Sequence, residues 1–152
     1  MKTKITEFLD KKNIKYKVLN HSKEVYTCEE AAKERNVPLD EMVKCILLKS
    51  KDKFYFLACL LADKQIEPNK VREILNSKRL SFASKEEIKE LGYEMGAVPP
   101  LLLNKEIKIV FDNEIKNKDR VNISSGNPKA GIELKAIDLI RLVHPIIGDI
   151  KK

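Results

Sequence analysis

Val43-Lys44-Cys45-Ile46-Leu47-Leu48-Lys49 and Phe54-Tyr55-Phe56-Leu57-Ala58-Cys59-Leu60-Leu61-Ala62 are two dense apolar runs, separated by the polar Ser50-Lys51-Asp52-Lys53. Strand-length runs with a short polar break between them read as a β-hairpin. Because nearly every position is apolar, both faces of each strand need cover, which puts the hairpin in the middle of the core. Alternation then sets Val43, Cys45 and Leu47 on one face and Lys44, Ile46 and Leu48 on the other. An ammonium at position 44 breaks that pattern. Either it snorkels to solvent at the strand end, or it faces a cavity where a ligand meets it, since burying it unpartnered would cost several kcal/mol.

Upstream of the hairpin, Ile5, Phe8 and Leu9 fall at helical spacing in a helix that Asn13 ends, and a strand covers Tyr16 to Leu19. Thr27-Cys28-Glu29-Glu30 has the form of a capping box and predicts a helix from Cys28 to Asn36, closed by Pro38. Downstream, Pro68 opens a helix to Asn76, Leu80 to Ala83 is a short strand, and Ser84-Lys85-Glu86-Glu87 is a second capping box whose helix stops at Gly92. Strands follow at Ile107–Asp112, Arg120–Ser124 and Ile132–Leu134, with the turn Ser125-Gly126-Asn127-Pro128 before the last. A helix from Ala136 to Val143 comes next, with His144 placed to cap it. This order of elements indicates an α+β protein with a mixed, mainly antiparallel sheet and helices packed outside.

Composition bounds what such a chain does. Its 152 residues fit one domain over 1–152, and 43% hydrophobic with 35% charged residues suits a soluble globular protein. The longest apolar run is far shorter than the ~20 residues a membrane helix needs, and MKTKITEFLD has no signal-peptide core, so a cytoplasmic protein without membrane partners is expected. Cys28, Cys45 and Cys59 lack metal-ligand spacing, which predicts reduced thiols, two of them buried in strands, and no metal. The net charge of +7 favours encounter with a polyanion. Its basic residues are mostly lysines, with arginines only at 35, 72, 79, 120 and 141, so a solvated lysine-rich surface explains the charge equally well.

Besides Lys44, two segments could carry chemistry. Gly96-Ala97-Val98-Pro99-Pro100 is a loop in which glycine permits close backbone approach, proline stiffens the far end, and free N–H groups could bind an oxyanion; an ordinary proline-ended connection is the plainer reading. Asn122-Ile123-Ser124-Ser125-Gly126 runs from a strand into a small polar turn that could offer hydroxyl and N–H donors, as many structural turns do. His21 could orient a water or contact RNA, or simply lie on the surface. No phosphate-binding loop, dinucleotide fingerprint, zinc-helix motif or nucleophile elbow is present.

Taken in order, Val43-Lys44-Cys45-Ile46-Leu47-Leu48, then Gly92-Tyr93 through Gly96-Ala97-Val98-Pro99-Pro100, then Ile123-Ser124-Ser125-Gly126 with Gly131-Ile132-Glu133-Leu134 resemble the motif series of the YbaK/ProX-type prolyl-tRNA editing-domain family. The resemblance spans nearly the whole chain. It implies a barrel-like, mostly antiparallel sheet and hydrolysis of the ester joining a wrong amino acid to tRNA. The lysine matching Lys44 would be the catalytic residue, the glycine loop from Gly96 to Pro100 would border the aminoacyl pocket, and the substrate would be bound by His21, Gly96, Ala97, Val98, Pro100, Ser124, Ser125 and Gly126. It implies no cofactor and no metal. Its partners would be the acceptor end of mischarged tRNA, most readily tRNA(Pro) carrying cysteine or alanine, and prolyl-tRNA synthetase. The family often carries an acidic residue where this chain has Gly131.

Ester hydrolysis needs a water, stabilisation of the tetrahedral oxyanion and exclusion of the cognate substrate. Lys44 can hold the terminal-adenosine phosphate or the ester oxygens, while N–H groups near Gly96 and Ala97 face the carbonyl. The substrate's ribose hydroxyl or a minor protein base would activate the water. Two rival functions remain at this level: a non-catalytic module that binds tRNA or a synthetase, and a hydrolase for another small ester.

Overall fold

A computed structural model describes residues 2–101 and 103–152. Its elements are α1 (Lys4–Lys11), β1 (Tyr16–Asn20), α2 (Cys28–Arg35), β2 (Val43–Ser50), β3 (Tyr55–Leu61), α3 (Pro68–Leu75), β4 (Leu80–Phe82), α4 (Lys85–Glu90), β5 (Lys108–Asp112), β6 (Arg120–Ser124), β7 (Ala130–Lys135), α5 (Ala136–Val143) and β8 (Ile146–Gly148). The expected hairpin is there: β2 and β3 pair antiparallel from Val43 opposite Leu61 to Lys49 opposite Tyr55. Lys53 takes a left-handed φ of 68° at the turn.

The strands form two sheets rather than one, a mixed sheet of five strands and an antiparallel sheet of three. Five strands run in the order β4-β2-β3-β5-β8 and three in the order β1-β7-β6. The β3–β5 and β5–β8 pairings are parallel and the others antiparallel. The two sheets meet at an isolated bridge between Met42 and Asn122 but do not close on each other among the described residues, so the likeness to a barrel is a loose one.

Strand alternation explains how the layers stack. Val43, Leu47, Leu57, Cys59 and Leu61 turn inward from the larger sheet and meet Val121, Ile123, Ile132 and Leu134 of the smaller one. Ile5 and Leu9 of α1 and Leu139 of α5 join that core. On the opposite face of the larger sheet, Leu48, Phe56, Ala58 and Leu60 pack against Val71 of α3. The hairpin is thus covered on both sides, as its unbroken apolar runs require. A third, smaller cluster joins Ala31 and Ala32 of α2 to Met42 and Ala62 at the ends of the hairpin.

Local signals held in most places. Ser84 and Glu87 form a complete capping box at α4, and Pro68 sits in the first turn of α3. His144 caps α5 in the left-handed conformation, with its N–H on the Ile140 carbonyl at 2.9 Å. At α2 only half of the expected box forms: Thr27 Oγ1 accepts from the Glu30 N–H, but the Glu30 carboxylate takes the Thr27 hydroxyl proton instead of the Thr27 N–H. Strand β8 was not expected. It is three residues long, follows Pro145, and is held by parallel pairing to β5 rather than by a pattern of its own.

Candidate functional site

Where the two sheets meet, a cavity of about 90 Å3 opens between the start of β2, the end of β6, one side of α2 and the glycine loop, with room for several waters or a small organic group. Strand β4 pairs with β2 only from Leu48 to Ser50, so the first half of β2 is left to face this recess. Lys44 lines it, together with Cys28, Arg35, Gly96, Ala97, Val98 and Ser124. Lys44 is half-buried and joins none of the ion pairs among the described residues. Its out-of-pattern position in the strand is therefore a cationic site facing a cavity. Among the described residues, no aspartate, glutamate or histidine lines the recess.

The glycine loop is fitted against the segment before α2. Gly96 has φ +83°, and a Cβ there would come within 2.0 Å of the Tyr26 carbonyl oxygen, so only glycine allows the two backbones this close. The Ala97 N–H is already committed to the Glu94 carbonyl at 3.0 Å, which removes it from the donors expected for an oxyanion. The Gly96 N–H has no such partner among the described residues. Ser124 Oγ donates to the Ala97 carbonyl at 3.0 Å and accepts from the Gly126 N–H at 3.0 Å.

The structure thus brings Lys44, Gly96, Ala97, Val98 and Ser124 together. The other expected residues stand outside the recess. Ser125 is buried and its hydroxyl is used within the turn, on the Asn127 and Ala130 carbonyls. Gly126 supplies the positive φ of 86° for that turn, and Pro100 is buried behind the loop. His21 binds the Lys23 carbonyl through Nδ1 at 2.8 Å and does not line the recess.

Four residues enter that the sequence did not mark as site residues: Tyr26, Cys28, Cys45 and Arg35. Tyr26 supplies the wall against Gly96. Burial pushes the Cys28 thiol up to about 11, with Cys45 and Glu29 adding to it and Lys44 and Arg35 opposing, so it stays protonated near neutrality. Cys45 is only half-buried because it reaches the recess, whereas Cys59 is buried as expected. Arg35 ends α2 and folds its guanidinium over Gly131, where a Cβ would meet its Cζ at 2.1 Å. A larger depression of about 670 Å3, walled by Tyr26, Lys85, Lys89, Tyr93 and Met95, shares Tyr26 with the recess and contains none of the expected catalytic or binding residues. Among the described residues no group of three His, Cys, Asp or Glu side chains is placed to hold a metal, and no helix is long and apolar enough to cross a membrane.

The chain is similar in sequence and in fold to known proteins. The family model described as aminoacyl-tRNA editing domain matches residues 22–142. A prolyl-tRNA editing protein ProX of Acetoanaerobium sticklandii is 30% identical over 141 residues, covering 89% of this chain and 85% of that protein. A proline–tRNA ligase of Bacillus licheniformis is 29% identical over 127 residues, covering 83% of this chain but only 22% of the ligase. The chain therefore corresponds to about a fifth of the ligase. Among solved structures, that of a hypothetical protein superimposes with a TM-score of 0.91 at 24% identity over 99% of this chain and 100% of its own. Another, described as a candidate trans-editing enzyme for prolyl tRNA synthetase, gives 0.83 at 21% identity over 97% of this chain and 94% of its own.

Proposed function

This chain belongs to the aminoacyl-tRNA editing domain family, and on that premise we propose that it acts in trans as a deacylase of mischarged tRNA, most readily tRNA(Pro) esterified with cysteine or alanine. Water adds to the ester carbonyl, the tetrahedral intermediate collapses, and the amino acid leaves as its carboxylate while the terminal ribose oxygen takes a proton. Lys44 carries the reading, as an unpaired ammonium held at a recess that contains no carboxylate. In this scheme it sits beside the ester oxygens and stabilises the developing oxyanion, with the Gly96 N–H as the second donor. The recess is small, which suits a short side chain and resists a bulky one.

No aspartate, glutamate or histidine lines the recess, and the Cys28 thiol is held protonated, so the site has no strong base of its own. A hydroxyl of the substrate's terminal ribose is then the group best placed to accept a proton from the attacking water. The chain needs no metal in this scheme, and prolyl-tRNA synthetase is the natural source of its substrate.

The experiment is deacylation of a panel of mischarged tRNAs, including Cys- and Ala-tRNA(Pro), by the protein and by its Lys44→Ala variant. Removing an oxyanion-stabilising group typically costs 10²–10³ in rate. A loss of about that size with an unchanged thermal midpoint supports the assignment. Full activity of the variant rejects the role of Lys44, and salt-sensitive tRNA binding by the unsubstituted protein without any cleavage supports a binding module instead.

A further inference from the structure

Arg35 is the feature of the recess that deacylation as described above does not use. Its Nε and Nη1 are shielded from solvent and have no hydrogen-bond acceptor among the described residues. It joins none of the ion pairs, and no carboxylate lines the cavity it borders. Arg35 as a whole is half-buried, but leaving these two shielded nitrogens without a partner is unfavourable. The fold nevertheless makes room for it. The guanidinium lies in the volume a side chain at 131 would fill, with Cζ, Nε and Nη1 all within 2.3 Å of where that Cβ would stand. Lys44 and Arg35 act on the Cys28 thiol from the same cavity, so two cations border one recess.

We infer that Arg35 is a binding residue for a phosphate group of the nucleotide substrate, namely the phosphate on the 5′ side of the terminal nucleoside. The inference rests on the deacylase reading for the identity of the substrate. The Nε and Nη1 edge of a guanidinium matches two oxygens of one oxyanion, a geometry that a lysine cannot supply. An esterified amino acid has lost its own carboxylate, so the phosphate is the anion that every such substrate carries within one nucleotide of the ester. With Arg35 on the phosphate, Lys44 is free for the ester oxygens, and the two cations divide the substrate between them.

The test uses adenosine 5′-monophosphate and adenosine as probes, by titration calorimetry at low salt, on the full chain and on Arg35→Gln and Gly131→Ala. The second variant keeps the arginine but fills its seat. The atoms it displaces are the far end of a flexible side chain, so the fold is retained. Expected are tighter binding of the monophosphate than of adenosine by the unsubstituted chain, a loss of about tenfold or more for the monophosphate in both variants, and little change for adenosine. Without ligand, Arg35→Gln should melt no lower than the unsubstituted chain, because it removes an uncompensated charge; a structural arginine would give the opposite. Equal binding of the two probes by the unsubstituted chain, or undiminished monophosphate binding in Gly131→Ala, overturns the inference. Since none of these readouts requires ester cleavage, absence of deacylation would remove the proposed activity and leave the phosphate site standing.

Discussion

Ser124 donates its hydroxyl proton to the carbonyl of Ala97 at 3.0 Å, fastening the end of β6 to the glycine loop 27 residues earlier in the chain. The same oxygen accepts from the Gly126 N–H. One side chain therefore couples the loop beside Lys44 to the turn that leads into β7.

Replacing Ser124 with alanine leaves the Ala97 carbonyl and the Gly126 N–H without this partner, which should cost about 1–3 kcal/mol of stability. If the tie also positions the Gly96 N–H, deacylation falls by about tenfold, equivalent to about 1.4 kcal/mol of barrier. Denaturant unfolding and single-turnover kinetics on Ser124→Ala and Ser124→Thr separate the two effects. Threonine should restore both, and a stability loss with unchanged turnover would confine the bond to folding.

Gly96 and Gly126 share a positive φ, +83° and +86°, but differ in surroundings: a Cβ at 96 runs into the Tyr26 carbonyl, whereas one at 126 meets nothing within 4 Å. Gly96→Ala should therefore displace the loop, losing on the order of 1–3 kcal/mol and most of the activity. Gly126→Ala carries only the left-handed penalty, about 1 kcal/mol, and keeps activity. Equal effects at the two sites, measured by thermal melting and deacylation rate, would show that the contact with Tyr26 is unimportant.

Much of this was legible before any coordinates. The hairpin follows from two unbroken apolar runs, α4 from its capping box, and the placement of an ammonium at a recess from one lysine out of pattern. Arg35 was not legible, because an arginine in the last turn of a helix is ordinary there, and the seat that makes it unusual is provided by Gly131, distant in the chain. The Ala97 N–H was read as a free donor because sequence does not reveal that the loop closes a turn on Glu94. Ser125 and Gly126 fell in the right segment but serve the turn itself, as small polar residues most often do. Strand β8 is too short to carry a period, and only its pairing with β5 makes it a strand.

The Cys28 thiol offers a chemical check. With its pKa near 11, only about one molecule in a thousand is thiolate at pH 8, so alkylation by iodoacetamide followed by peptide mass mapping should be slow and should accelerate as pH rises toward that value. Cys28→Ser should keep deacylase activity. Rapid modification at neutral pH, or an inactive serine variant that folds, would point to a thiolate at the site.

Acid sensitivity has an identifiable contributor. The Lys49 ammonium holds the Glu87 carboxyl down to about 2, against an ordinary value of 4.5, with the Ser84 N–H and the Tyr55 hydroxyl adding to it. A depressed carboxyl stabilises the fold above its unfolded value, and that contribution is lost as pH falls from about 4.5 through about 2. Thermal midpoints of the unsubstituted chain and Glu87→Gln should therefore differ at pH 6 and converge by pH 2. A gap that stays constant across that range would rule the carboxyl out as a source of acid lability.

The bridge between Met42 and Asn122 is the point where the two sheets touch, and Lys44 and Ser124 each lie two residues beyond it, one on either sheet. The recess therefore lies in the opening between two packed sheets, just beyond the point where they bridge. A change of side-chain volume at Leu47 or Val121, in the core between the sheets, is expected to shift one sheet against the other and so change the width of the recess. Under the proposed deacylase reading, discrimination between one small amino acid and the next would then respond to substitutions that never meet the substrate, and a search for selectivity determinants confined to the lining residues would miss them.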